Sequence, residues 1–375
     1  MINKDERINY IDRIKVLLCL LVIALHASVA YGGAGSWYYN EQTNSIVVKV
    51  VFTIFDAICQ SFFMGLFFFI SAYFTPASYN KKGAIKFLKD RLLRLGIPLL
   101  FFYFILSPTT IYTLNLFKYS KDSSYLNFLF DCIVYFKNLG TGPLWFVLAL
   151  MIFSIIYILW RNLFSSINSK KITFPKNKTI LAFIILLGVL SFAVRLVYPT
   201  GKEFLGMQLG YFPQYILLFG LGIVAYENNW LEQIISRTSD FWFRISFICV
   251  FIIIVALLFG ATANSVDAFT GGFYWQAFVY AMWEPFMCVG ISLKLLTSFR
   301  EKYNTKSNFW SAMALSSYPV YIIHAPISVL MEGLLIKTHL HPFIKFSIVF
   351  LSVSFICFTV SHYVLRRLPI LKKII

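Results

Sequence analysis

Charge is scarce in this chain. Only 13% of its 375 residues are Asp, Glu, Lys or Arg, whereas 59% are hydrophobic and the mean hydropathy is +0.74. Soluble domains carry about 25% charged and 45–50% apolar residues, so this composition excludes a soluble globular protein, and equally a disordered chain. Acidic residues are scarcer still, 16 against 33 Lys and Arg, for a net charge of +17. A C-x-x-C pair is absent. The six cysteines, Cys19, Cys59, Cys132, Cys249, Cys288 and Cys357, mostly sit in apolar segments. They read as small buried hydrophobes, with no disulfide framework and no metal site expected. The apolar stretches run continuously and do not alternate with polar residues, which excludes an outer-membrane barrel. Internal repeats and low-complexity linkers are also missing.

What remains is a series of apolar blocks of about 20 residues, the length of a membrane-crossing helix. The 41 Phe and 22 Tyr suit lipid-facing and interfacial positions. Ten spans are expected, near 16–32, 47–74, 95–117, 143–160, 179–197, 209–226, 245–262, 274–298, 309–336 and 343–365. The fold expected is therefore all-α, a polytopic integral membrane protein forming one domain over 1–375. An even number of spans puts both termini on one side. Of the Lys and Arg residues, 24 fall on the side of the termini and 8 on the other, with Lys294 inside the eighth span. Cations collect in cytoplasmic loops, so both termini are expected in the cytoplasm and the protein in the cytoplasmic (inner) membrane. The same bias accounts for most of the +17 without a nucleic-acid partner. The first span has the basic start and small residues of a signal peptide, but cleavage would leave nine spans and reverse the charge pattern, so it is kept as a span.

Ionisable groups at membrane depth cost roughly 2.5–3.5 kcal/mol or more and need a reason to be there. His26, Asp56, Glu284 and His324 stand out. Lys15 and His26 are 11 positions apart, about three turns plus 20°, so they share a helix face with a rise of about 16 Å between them. Arg13 falls on the far face. A cation at the membrane edge with an imidazole above it suits an anionic ligand reaching inward. Equally, Lys15 is a topology anchor and His26 an interhelical hydrogen-bonding group. Asp56 lies one turn from Gln60, a pair suited to hydrogen bonds with neighbouring helices. Glu284 precedes Pro285, where it can satisfy backbone groups freed by the proline, hold a sugar hydroxyl or orient an imidazole. His324 lies between Pro319 and Pro326, which predicts an irregular helix lining a cavity. His339, His341 and His362 read as surface or interfacial residues. The basic run Lys81, Lys82, Lys86, Lys89, Arg91 and Arg94 is either a positive-inside loop on anionic lipid or an anion pocket. Arg91 and Arg94, three apart, would then grip phosphates of a nucleotide-type cofactor.

Taken in order, these segments resemble the membrane-bound acyltransferase-3 family, and within it the branch of periplasmic glucan succinyltransferases and similar polysaccharide O-acyltransferases. The matching residues are Tyr10-Ile11-Asp12 through His26-Ala27, Phe67 to Phe74, Arg91 to Pro98, Gly142-Pro143-Leu144-Trp145-Phe146, Tyr211 to Tyr215, Trp283-Glu284 and Tyr318 to His324. The family hallmark in the first span is an arginine, ten residues, then a histidine. Lys15 stands in the arginine's place, keeping charge and face but losing the bidentate fork. The resemblance implies transfer of an acyl group, acetyl or succinyl, from cytoplasmic acyl-CoA to a hydroxyl of a cell-surface or periplasmic glycan, with membrane lipids as the other partner. Lys15, Arg91 and Arg94 would hold the donor phosphates. His26 would act as general base or would itself take the acyl group. Glu284 and His324 are the acceptor-side candidates, joined by Asp56 and by Trp145, which would stack on a sugar or anchor at the interface. A transporter or flippase of lipid-linked sugars or small anions is the competing reading, with the buried Asp56, Glu284 and histidines as a proton relay. A membrane partner whose site has decayed is a third.

Overall fold

The computed structural model describes residues 8–119, 124–164, 171–263, 266–368, 371 and 374. Ten helices among these are long and apolar enough to cross a membrane: α1 Asn9–Ala30, α2 Ile46–Lys82, α3 Ala84–Tyr119, α4 Gly142–Leu163, α5 Asn177–Arg195, α6 Leu209–Glu227, α7 Ser236–Phe259, α8 Trp275–Lys302, α9 Asn308–Leu335 and α10 Pro342–Arg367. The fold is thus all-α and polytopic, as the apolar blocks require. Helices satisfy their own backbone groups, which is what a hydrocarbon environment demands. The only strands among the described residues are the two-residue pair β1 Glu203–Phe204 and β2 Met207–Gln208, between α5 and α6.

The helices outrun the apolar blocks where the flanks are basic. The run from Lys81 to Arg94 is helical except at Gly83, whose φ of 73° separates α2 from α3. Inside α3 the regular turn breaks twice, at the π-helical segments Leu92–Gly96 and Phe102–Leu106. Pro98 lies between them and cannot donate a backbone N–H to the carbonyl of Arg94 four residues earlier. The widened turns accommodate it.

Around His324 the expectation of an irregular helix is corrected. Helix α9 runs unbroken through both Pro319 and Pro326. Side chains bond the neighbouring carbonyls: Ser316 Oγ donates to Ala312 O at 2.8 Å, Ser317 Oγ to Met313 O at 3.1 Å, and Cys19 Sγ to Ser317 O at 3.5 Å. These carbonyls lie beside Leu315 and Ile322, the positions whose intrahelical donors Pro319 and Pro326 remove.

Contacts divide the chain into two units. The first holds the described residues through Ile14, Ile58–Phe87 and Phe153–Lys306; the second holds Lys15–Ala57, Leu88–Ile152 and the chain from Ser307 on. In the first unit α8 packs against α5 and α7, with Ile180, Ile184 and Trp242 buried against Phe286, Val289 and Leu293. In the second, α1, α9 and α10 enclose a core that includes Cys19, Ile23, Ala27, Val320, Val349, Val353 and Cys357. The cations of Arg195 and Lys345, which flank apolar blocks in the sequence, are not loop charges: they are 1% and 2% exposed, and each is ion-paired.

Candidate active site

In the second unit, α1 carries His26 one turn before its end, half-buried. The link that follows returns Trp37 onto it. The two rings are stacked at 3.8 Å between centroids and 17° between planes. The Trp37 indole N–H donates to both carboxylate oxygens of Glu332, at 3.0 and 3.2 Å, and Glu332 is wholly buried on α9. Eight residues earlier on the same helix, His324 lies 5.4 Å from His26, ring to ring, with 16° between planes. His324 is also wholly buried, and its Nδ1 is 2.8 Å from the carbonyl of Tyr321. A carbonyl only accepts, so the proton sits on Nδ1, and a neutral His324 offers a lone pair at Nε2. Among the described residues, His324 Nε2 and His26 Nδ1 are buried without a hydrogen-bond partner. The sequence-predicted His26 and His324 are therefore brought together, in near-parallel rings.

Hydroxyls of α9 fix this helix against its neighbours in the unit. Tyr321 donates to the carbonyl of Pro143, and Tyr318 to the carbonyl of Arg94 at 2.6 Å. The second bond supplies the donor that Pro98 withholds. The first joins α9 to the Gly142–Leu144 turn that opens α4, where Gly142 has a φ of 45° and a Cβ would press on Tyr38 and Phe102. Only glycine takes that place without strain. Trp145 follows this turn, half-buried, edge-on to Phe146.

The link carrying Trp37 is held at both ends. Asp56 of α2 is 4% exposed and accepts from the Ser28 hydroxyl, while its second oxygen lies where a Cβ on Gly33 would fall. Gln60 goes elsewhere, donating to Tyr215 at 3.1 Å in the first unit. Farther along, Glu41 accepts from Lys345 of α10 at 2.9 and 2.8 Å and from Tyr39 at 2.8 Å. Burial first, and then the Glu41 carboxylate, raise the Tyr39 phenol above its ordinary value, so it stays a donor.

The basic candidates lie toward the opposite ends of these helices. Helix α1 is unbroken from Asn9 to Ala30, so Lys15 and His26 keep their shared face. In the first unit, Arg13 donates to Thr305, at 2.7 Å to the carbonyl and 3.1 Å to the hydroxyl. Arg91 is half-buried; Arg94, inside the first π turn, is exposed and 3.4 Å from Asp90. Glu284 belongs to the first unit, where it pairs with Arg195 at 2.5 Å.

Residues 8–362 match the family described as an acyltransferase domain, acyltransferase-3. The chain belongs to this acyltransferase family. Among curated relatives, Glucans biosynthesis protein C of Escherichia coli O81 (strain ED1a) is 24% identical over 358 residues, 89% of this chain and 85% of the relative. The protein of the same name from Escherichia coli (strain K12) is 25% identical over 246 residues, 62% of each chain. No solved structure matches.

For an acyltransferase, the geometry adds three residues that sequence reasoning passed over. Glu332 falls inside the ninth apolar block and meets the same cost criterion as Glu284, which was the signal available. Trp37 lies in an aperiodic link just after Gly32, Gly33 and Gly35, where no pattern marks it. Arg195 ends an apolar block and reads as a flank charge; its partner, Glu284, is three helices further along the chain.

Proposed function

We propose that this acyltransferase moves an acyl group, acetyl or succinyl, from acyl-CoA at the cytoplasmic face to a hydroxyl of an extracytoplasmic glycan. The observation that carries this reading is the stacked His26, covered on one face by Trp37 and accompanied by His324, in a chain of this family. The charge bias supports placing both termini in the cytoplasm, in the cytoplasmic membrane. The name of the relatives, Glucans biosynthesis protein C, supports a glycan as acceptor.

In this mechanism Lys15, Arg91 and Arg94 bind the donor phosphates at the inner ends of α1 and α3. Trp37 blocks one face of the His26 imidazole and leaves its edge for substrate. His26 takes the proton from the acceptor hydroxyl as that oxygen attacks the thioester carbonyl. The tetrahedral intermediate collapses with cleavage of the carbon–sulfur bond, and the thiolate leaves with the proton returned by His26. His324, Asp56, Glu284 and Trp145 belong to the acceptor side or its support.

Replacing His26 with Ala or Gln tests this. Acyl mass on surface glycans, read by mass spectrometry, should disappear, with the protein at normal levels in the membrane; general-base catalysis contributes typically 10²–10⁴-fold. Full acylation by either variant would refute the role of His26.

A further inference from the structure

The first unit holds a second polar cluster, built apart from the histidines. Arg195 closes α5, Tyr211 stands at the start of α6, and Tyr280 and Glu284 lie in the first turns of α8. The Arg195 guanidinium is 1% exposed. It donates through Nη2 to Glu284 and through Nε to the carbonyl of Gly210 at 3.1 Å, and lies 5.0 Å from the Tyr211 ring and 5.3 Å from the Tyr280 ring. Two atoms are left over. Among the described residues, Arg195 Nη1 and Glu284 Oε1 are buried with no hydrogen-bond partner.

A charged donor and a charged acceptor left open within one buried ion pair are costly in a membrane protein, and the combination is chemically selective. An anion would satisfy Nη1 but meet the Glu284 charge. A cation would do the reverse. A hydroxyl satisfies both, accepting from Arg195 Nη1 while donating to Glu284 Oε1. Tyr211 and Tyr280 are only half-buried, so their rings form the approach to the pair and offer aromatic faces to a sugar ring. Span parity puts the end of α5 and the starts of α6 and α8 on one side of the membrane, opposite the termini.

We infer that Arg195, Glu284, Tyr211 and Tyr280 form a saccharide subsite that takes a neutral sugar hydroxyl. The inference rests on the reading of the acceptor as a glycan, and adds to it a second place of contact and a preference for uncharged polyols.

The test uses the full chain in lipid nanodiscs with acetyl-CoA or succinyl-CoA and a gluco-oligosaccharide. Acylated saccharide is read by mass spectrometry and free thiol by colour reaction. The variant Arg195→Lys keeps a cation for Glu284 but removes the Nη1 donor. It should raise the saccharide KM about tenfold or more, and raise it by more than it lowers kcat. A purely structural ion pair would be rescued by lysine, so an unchanged KM overturns the subsite. Tyr280→Leu, which leaves the ion pair in place, should raise the same KM and serves if Arg195→Lys does not fold. Inorganic sulfate at millimolar levels should not compete with the saccharide; competition would show an anion site and overturn the proposal. Thiol release without any saccharide acylation by the wild-type protein would remove the glycan reading, and this inference with it. Saccharide acylation with unchanged KM in both variants removes the subsite alone.

Discussion

Trp37 lies flat on His26, 3.8 Å between ring centroids, and its indole N–H is fixed by the buried carboxylate of Glu332. Stacking is worth about 0.5–1.5 kcal/mol, and leaving a buried hydrogen-bonding group without its partner costs about 1–3 kcal/mol. The carboxylate is therefore the stronger of the two restraints on where Trp37 sits. Trp37→Phe keeps a ring but strands Glu332, and should lower both thermal stability and acyl transfer. Glu332→Gln keeps an acceptor and should retain much of both. Glu332→Leu should lose transfer by about tenfold or more, as expected when the buried indole N–H is left without an acceptor. Acyl transfer and melting temperature in nanodiscs check the order. Wild-type transfer in Glu332→Leu would mean that the stack needs no latch.

The buried pair of Arg195 and Glu284 makes a separate prediction about stability. Removing one partner leaves an uncompensated charge in a low-dielectric interior, a cost of about 3–5 kcal/mol. Glu284→Leu and Arg195→Met should each lower the yield of folded protein sharply. The double variant should recover most of it, because replacing both members with apolar groups is often neutral. Thermal unfolding followed by size-exclusion chromatography measures this. Additive losses in the double variant would show that the two charges do not depend on each other.

The ten spans were legible because hydrocarbon imposes a length and a composition that no other environment requires. Their ends were less so: Lys81 to Arg94 is charged, and charge marks a membrane edge, not the end of a helix. His26 and His324 could be singled out because an imidazole at membrane depth is expensive wherever it points. Which groups they would meet could not, since Trp37 comes from a link without periodicity and Glu332 from a helix near the other end of the chain. Proline was misleading in α9, which stays regular through Pro319 and Pro326, whereas α3 widens on both sides of Pro98.

Lys345 and Glu41 clasp the link that carries Trp37 to α10. Lys345 is 2% exposed, so its ammonium has little access to water in exchange for the carboxylate. Lys345→Met and Glu41→Gln should each reduce acyl transfer by loosening that link, and their effects should overlap in the double variant. A double-mutant cycle on transfer rate and melting temperature gives the coupling. Expected is about 1–3 kcal/mol between residues that share a part-buried ion pair. A coupling near zero would show that the link is positioned without the clasp.

The bond from the Tyr318 hydroxyl to the carbonyl of Arg94 exists because Pro98 cannot make it. The two residues should therefore be genetically coupled. Tyr318→Phe leaves the carbonyl with one donor fewer and should cost about 0.5–1.5 kcal/mol. Pro98→Ala restores a backbone N–H at the helical position and removes the ring that the π turn at Leu92–Gly96 accommodates. In that background Tyr318→Phe should cost markedly less, because the carbonyl no longer depends on the tyrosine. Comparing the two Tyr318→Phe penalties by thermal unfolding, with and without Pro98→Ala, decides it. Equal penalties would mean that the hydroxyl acts on α9 alone. A smaller penalty in the Pro98→Ala background would show that the irregular turn bearing Arg94 is held in shape from across the unit, by the same helix that carries His324.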